Sequence, residues 1–314
     1  MRPFPLILGP TAGGKSTLAV DLALALRDKH NQPAEIITAD SMQIYKGMDI
    51  GTAKPTPEER RGVPHHLLDL IEPTEPFSVD QWLDLANPLI DELRSRNIIP
   101  IVVGGTNLYV KALLEGLFEG PPANESLRAE LSALPREELR ARLLAADPIA
   151  AQRIHPNDTR RTIRTLEVFA ATGKPISELQ EQWDTGRVRQ DALPVFLDWP
   201  TELINPRINA RVKAMFEQGF ESEARTLWQS NRLGPQAREA LGYKQLIEHF
   251  EDRATLEGAV EEIKIQTRRF AKNQRTWLRR LSTIPGSLRI ACDDSDAMRN
   301  AAELVASRLK PELR

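Results

Sequence analysis

The segment Gly9-Pro10-Thr11-Ala12-Gly13-Gly14-Lys15-Ser16 constrains this chain more than any other feature. It fits the pattern G-x-x-x-x-G-K-S/T. The apolar run Phe4-Pro5-Leu6-Ile7-Leu8 precedes it, and apolar residues at helical spacing follow it, Leu18, Leu22, Ala25 and Leu26. A strand before and a helix after are the context in which such a loop binds phosphate. Glycine permits φ > 0, so successive backbone N–H groups can point into one concavity. The helix N-terminus adds partial positive charge, Lys15 adds a full one, and the Ser16 hydroxyl can ligate Mg²⁺.

The rest of the amino-terminal third extends that pattern. Glu35-Ile36-Ile37-Thr38-Ala39 predicts a second strand ending at Asp40. Ser78 is a candidate N-cap for a helix running to about Arg96, and residues 98–103 predict a strand ending in Gly104-Gly105-Thr106. Strands alternating with helices, each strand ending in Gly or Asp, predict an α/β fold with a doubly wound parallel sheet. Ligands bind such sheets beyond the carboxyl ends of the strands, which puts Asp40 and Thr106 near the phosphate loop. Residues 42–76 are rich in Pro, Gly and Thr, and a loop that long in a compact domain is usually functional.

From 115 to 195 the chain reads as helices with no strand, opened by Gly116 and Gly120-Pro121-Pro122. The best-marked helix there is capped by Asn157 or Asp158 and stopped by Gly173 and Pro175. The expected organisation is therefore a core of residues 1–114 and 196–314 with a helical insertion over 115–195. Pro194 to Trp199 reads as a strand returning to the core, with helices following to about residue 281.

Composition narrows the class. The 314 residues are 41% hydrophobic and 27% charged, the balance of a globular protein, and no apolar run is long enough to span a membrane. One cysteine, Cys292, excludes an intramolecular disulfide and a cysteine-rich zinc site, which suits the cytoplasm. His65 and His66 are adjacent, so they point apart, and no third ligand stands at metal spacing; a structural or loop role is expected.

Asp40 is open to three roles from its position: a Mg²⁺ ligand, a general base, or a cap for the following turn. Thr106, by spacing, is the N-cap of a helix beginning at Asn107. Segment 263–281 holds Lys264, Arg268, Arg269, Lys272, Arg275, Arg279 and Arg280 and no acidic residue. At helical spacing Lys264, Arg268, Lys272, Arg275 and Arg279 form one stripe, with Ile263, Phe270, Trp277 and Leu281 opposite. Such a stripe is either a solvated face or a polyanion site. In a chain of net charge −2, with a second cluster at Arg160, Arg161 and Arg164, it favours the polyanion.

With these segments in place the chain resembles the bacterial tRNA isopentenyltransferase (tRNA dimethylallyltransferase) family. The resemblance rests on the phosphate loop, on Asp40-Ser41-Met42-Gln43-Ile44-Tyr45-Lys46-Gly47-Met48-Asp49-Ile50-Gly51-Thr52-Ala53-Lys54-Pro55, on Val102 to Tyr109, and on Gln266 to Lys272. It implies a P-loop NTPase-like core and transfer of a dimethylallyl group from dimethylallyl diphosphate to N6 of the adenosine 3′ to the anticodon. In such a family the loop from Gly9 to Ser16 holds the diphosphate leaving group with Mg²⁺, not a nucleoside triphosphate. Asp40 is then the expected base, with Thr106 beside it and Arg207 near the diphosphate.

The tRNA anticodon stem-loop is expected against Asp40, Ser41, Met42, Gln43, Thr106, Arg128, Arg160, Arg161, Thr162, Ile163 and Arg164. A second group of expected contacts is Arg238, Glu239, Ala240, Leu241, Gly242 and Tyr243, with Arg268, Lys272 and Arg275 added from the basic stripe. Gly13 and Ser16 stand where relatives often have Ser and Thr. The enzyme is expected to act as a monomer. A small-molecule kinase with Asp40 on Mg²⁺, and a non-catalytic RNA-binding P-loop protein, are the alternatives.

Overall fold

The computed structural model describes residues 3–117, 120–179, 188–293 and 295–309. Its sheet has strands β1 (Phe4–Leu8), β2 (Ala34–Ala39), β3 (His65–His66), β4 (Ile99–Gly104), β5 (Ala192–Asp198) and β6 (Leu288–Ala291). They lie in the order β3-β2-β4-β1-β5-β6, and every pairing is parallel. The expected α/β doubly wound sheet is therefore present. From β1 the chain goes one way to β2, β3 and β4 and later the other way to β5 and β6. The reversal of direction falls at β1, where a crevice opens beyond the strand's carboxyl end. β1 and β4 are buried along their whole length, as strands covered on both faces must be.

Helix Lys15–His30 begins at Gly14, whose φ of 81° is left-handed, and ends at Asn31, whose N–H closes onto the Leu26 carbonyl. It buries Leu18, Leu22 and Leu26 in a core shared with Ile7, Ile36, Ile101, Val195, Leu197 and Val305. Helix Val79–Ser95 starts where the sequence predicts. Ser78 and Gln81 cap each other reciprocally, and Arg96 ends the helix. Its Trp82 is fully buried, donates Nε1–H to the Thr38 carbonyl at 2.9 Å, and stacks on Tyr109. That contact fixes the β2 end from which Asp40 projects.

The 42–76 segment is tightly folded rather than open. The buried Lys54 ammonium bonds the Tyr45 carbonyl and the carboxylates of Asp49 and Asp69, and Tyr45 bridges to Ile71. A short helix, Pro57–Arg60, is capped by Thr56.

Three elements differ from the sequence expectation. β5 begins at Ala192, not Pro194, because Ala192 and Leu193 already pair with Phe4 and Pro5. Its first residues thus fall within the 115–195 stretch. Pro194, with no N–H to give, lies one residue before the β6 ladder starts at Val195. β6 is a strand of four residues, too short to show a period. His65-His66 is a β3 edge strand rather than a loop, with His66 Nε2 bonded to Glu35 across the pair.

The chain divides into two compact units, Met1–Ala112 with Arg189–Arg314, and Leu113–Val188. The second unit has helices and no strand among its described residues. Its Thr159–Thr172 helix is capped by Asp158 and closed by Gly173 at φ 70°, as the sequence predicts. Fully buried Asp147 accepts from the Ala150 and Ser177 amides and the Ser177 hydroxyl, tying two short helices together.

Candidate active site

The phosphate loop is braced from several sides. Gly13 N–H bonds the Pro10 carbonyl at 3.1 Å, and Trp199 Nε1–H donates to the Gly13 carbonyl at 3.0 Å. A Cβ on Gly13 would lie 2.8 Å from the Pro10 oxygen and 3.2 Å from the Trp199 nitrogen, so a side chain here would require the loop to shift against Trp199. Arg207 donates to the Ala12 carbonyl at 3.1 Å and stacks over Trp199. Lys15 Nζ reaches the Pro10 carbonyl at 2.8 Å.

Beside the loop lies a cavity of about 390 Å³. Thr11, Ala12, Lys15 and Ser16 line it from the loop; Asp40, Ser41, Met42 and Gln43 from the end of β2; Gly104, Gly105 and Thr106 from the end of β4. The crevice is where the strand order puts it. Asp40 Oδ1 accepts from the Met42 and Gln43 amides at 2.9 and 3.4 Å, so the carboxylate both caps its turn and faces the cavity. Helix Asn107–Glu115 starts where expected. The Thr106 hydroxyl, however, accepts from the Ser41 amide at 3.0 Å and donates to the Ser41 hydroxyl at 3.3 Å, joining the ends of β2 and β4.

Helices Thr201–Glu217 and Leu256–Leu281 supply the opposite wall. Ile208, Arg211, Val212 and Met215 recur on one face of the first, and Ile263, Thr267, Phe270 and Gln274 on one face of the second. Phe270 is 44% exposed, so the apolar stripe read from the sequence faces a cavity at that point rather than the core. Burial, with the Arg211 cation beside it, pushes the Lys15 ammonium down to about 8, against a smaller upward pull from Asp40. Arg211 is itself held below its usual range by burial. The cavity therefore has a cationic end, a carboxylate, and an apolar wall.

Three residues that position this site have no motif of their own. Gln274 is buried and bonds both the phosphate loop and the end of β4. Arg211, not Arg207, is the arginine of helix Thr201–Glu217 that lines the cavity. Glu223 accepts from the Asp49, Ile50 and Gly51 amides at 3.0, 2.7 and 3.0 Å and from the Tyr243 hydroxyl at 2.6 Å. His65 also lines the cavity, its imidazole held below its usual range by burial.

The expected RNA-contacting residues fall into four places. Asp40 to Gln43, Thr106, Glu239, Ala240 and Leu241 line the cavity. Arg238 pairs with Glu251, while Gly242 packs on Phe220 and Tyr243 reaches Glu223. Arg268, Lys272 and Arg275 border a separate basic hollow of about 660 Å³, with Arg268 bonded to Asn209 and Arg275 to Thr201. In the second unit Arg128 and Arg164 both pair with Glu167, which is 1% exposed; Thr162 and Ile163 are buried, and Arg160 and Arg161 are exposed.

A family model described as IPP transferase matches residues 43–281. The tRNA dimethylallyltransferase of Geobacillus kaustophilus is 47% identical over 279 residues, covering 87% of this chain and 86% of that protein. That of Syntrophobacter fumaroxidans is 45% identical over 283 residues, covering 88% and 81%. The crystal structure of the full-length tRNA isopentenylpyrophosphate transferase from Bacillus halodurans superposes with a TM-score of 0.68 at 36% identity, over 98% of this chain and 97% of that one. A eukaryotic dimethylallyltransferase solved acting on tRNA gives a TM-score of 0.80 at 27% identity, over 100% of this chain and 81% of that one.

Proposed function

The chain belongs to the IPP transferase family, and from that premise we propose how its cavity works on dimethylallyl diphosphate and tRNA. The dimethylallyl group passes to N6 of the adenosine 3′ to the anticodon. As the C1–O bond breaks, its electron pair leaves with diphosphate, and the N6 lone pair forms the new C–N bond. The N6 proton goes to the Asp40 carboxylate, whose Oδ1 is held by two backbone amides.

Charge developing on the leaving group is met by Lys15, Arg211 and the loop N–H groups that are not spent within the protein, those of Ala12, Gly14, Lys15 and Ser16, all fixed before the reaction begins. Mg²⁺ fits the exposed Ser16 hydroxyl, which lines the cationic end beside Lys15; when bound, it neutralises diphosphate charge. Arg207 acts from behind, through the Ala12 carbonyl. Thr106 holds the Asp40 turn through Ser41. Ile208, Val212, Met215, Ile263 and Phe270 keep water from the allylic carbons.

An adenosine stacked in an anticodon loop cannot reach Asp40, so the base is turned out into the cavity. Ser41 to Gln43 and Glu239 to Leu241 receive it, and Arg268, Lys272 and Arg275 take phosphates. Arg160 and Arg161, exposed in the second unit, add to the phosphate contacts; Arg128 and Arg164 are presented by Glu167. No described helix is long and apolar enough to cross a membrane, in keeping with a cytoplasmic tRNA substrate.

The observation that carries this reading is the joining of the Lys15–Arg211 cationic end, Asp40 and an apolar wall in one cavity. Incubation of the protein with isotopically labelled dimethylallyl diphosphate and unmodified anticodon stem-loop is expected to place label on N6 of the adenosine. RNA that stays unlabelled refutes it.

A further inference from the structure

The buried side-chain amide of Gln274 touches both sides of the crevice. Its Oε1 accepts from the Thr11 amide at 2.8 Å, and its Nε2 donates to the Gly105 carbonyl at 2.8 Å. A backbone N–H can only donate and a carbonyl can only accept, so the two partners fix the orientation of the amide. The fit is close on both sides: a Cβ built on Gly105 would lie 2.5 Å from the Gln274 nitrogen and 3.5 Å from Lys15 Nζ. Among side chains, one that both donates and accepts at that reach is required. A carboxylate supplies only the acceptor and a thioether supplies neither strongly.

Gln274 sits on helix Leu256–Leu281, between Lys272 and Arg275, which border the basic hollow. The same helix thus carries cations on one face and inserts a neutral amide against the phosphate loop from the other. Engaging the Thr11 N–H removes it from the set available to a ligand and fixes the direction of the Thr11 peptide. The Gly13 N–H is spent on the Pro10 carbonyl, and the remaining loop amides, those of Ala12, Gly14, Lys15 and Ser16, follow from that peptide.

We propose that Gln274 is a positioning residue for the donor site, holding the phosphate loop in the shape that binds diphosphate and tying it to the basic helix. This rests on the reading that the loop holds the donor's diphosphate. Calorimetric titration of the full chain with inorganic diphosphate and Mg²⁺ tests it. Gln274→Met, similar in size but without the paired donor and acceptor, is expected to weaken diphosphate binding about tenfold or more, from two lost hydrogen bonds. Its affinity for unmodified anticodon stem-loop alone is expected to stay within about twofold of the unsubstituted protein.

Gln274→Glu supplies a second readout. When protonated, its carboxyl reproduces the donor and acceptor pattern of the amide. The affinity ratio between the unsubstituted protein and this variant is therefore expected to shrink as pH falls from about 8 to about 6. Diphosphate binding by Gln274→Met within twofold of the original, while Lys15→Met loses it, overturns the proposal and spares the loop reading. If Lys15→Met also binds normally, the loop reading itself fails. Equal losses for diphosphate and RNA would make Gln274 a packing residue of its helix and overturn the proposal as well.

Discussion

Glu223 offers the most direct test of how the site is held. Its carboxylate gathers the amides of Asp49, Ile50 and Gly51 and the hydroxyl of Tyr243, from segments nearly two hundred residues apart in sequence. No substitute acceptor can enter easily, because a Cβ on Gly51 would already sit 2.2 Å from Phe220 and 2.6 Å from Tyr243. In Glu223→Ala the half-buried Ile50 and Gly51 amides and the hydroxyl of the fully buried Tyr243 lose their acceptor together. At about 1 kcal/mol each, the local cost is about 3 kcal/mol, or about a hundredfold in the opening equilibrium. Amide hydrogen exchange reads this directly: protection at residues 49–51 is expected to fall about a hundredfold while the sheet amides of β1 and β4 keep theirs. Glu223→Gln keeps one acceptor and should lose roughly tenfold. Gln43 Nε2 bonds the Thr52 and Ala53 carbonyls, so loosening this loop disturbs the Asp40 turn. Turnover is therefore expected to drop with diphosphate affinity little changed. Unaltered exchange at 49–51 in Glu223→Ala would refute the argument.

Other expectations concern the chemistry. Asp40→Asn keeps the acceptor that caps the turn but removes the base, so transfer should fall by about a hundredfold or more while diphosphate binds normally; loss of binding would assign Asp40 to metal instead. The Lys15 ammonium, at about 8 in the free protein, is expected to take up about half a proton near pH 8 when an anion binds, and affinity should weaken above that pH. Calorimetry in buffers of different ionisation enthalpy measures the uptake, and Lys15→Met should abolish it. Arg211→Met should weaken diphosphate binding more than Arg207→Met, since Arg211 lines the cavity and Arg207 touches only the back of the loop; the reverse order would move the anion to the other side of the loop. Neutralising Arg268 or Arg275 should each lower the slope of log affinity for RNA against log salt by about one, and an unchanged slope would leave that face merely solvated.

The parts of this site legible in the sequence are those where a strand ends and a special residue follows: the phosphate loop, Asp40 and Thr106. Local chemistry fixes each of them. Arg211 was hidden because a single cation in an amphipathic helix looks like an edge of its polar face, yet its spacing from Ile208 and Met215 puts it on the cavity side. Gln274 and Glu223 act on segments so distant in the chain that no window contains both partners. Arg164 reads as a free cation only until Glu167, one turn on and buried, is seen to hold it together with Arg128. Phe270 was placed on the right stripe, but a stripe cannot tell a packed wall from one that faces a cavity.

The strand order also has a consequence for synthesis. β1 is made first, yet it lies between β4 and β5, and β5 begins at Ala192. Until that residue leaves the ribosome, one edge of a fully apolar strand stays unpaired, a hazard that nascent chains must outlast. The Leu113–Val188 unit, translated in the interval, has its own buried clusters and can condense meanwhile. The phosphate loop waits longer still, for Trp199, Arg207 and finally Gln274. What the ribosome delivers almost at once is thus among the last pieces of the enzyme to take shape.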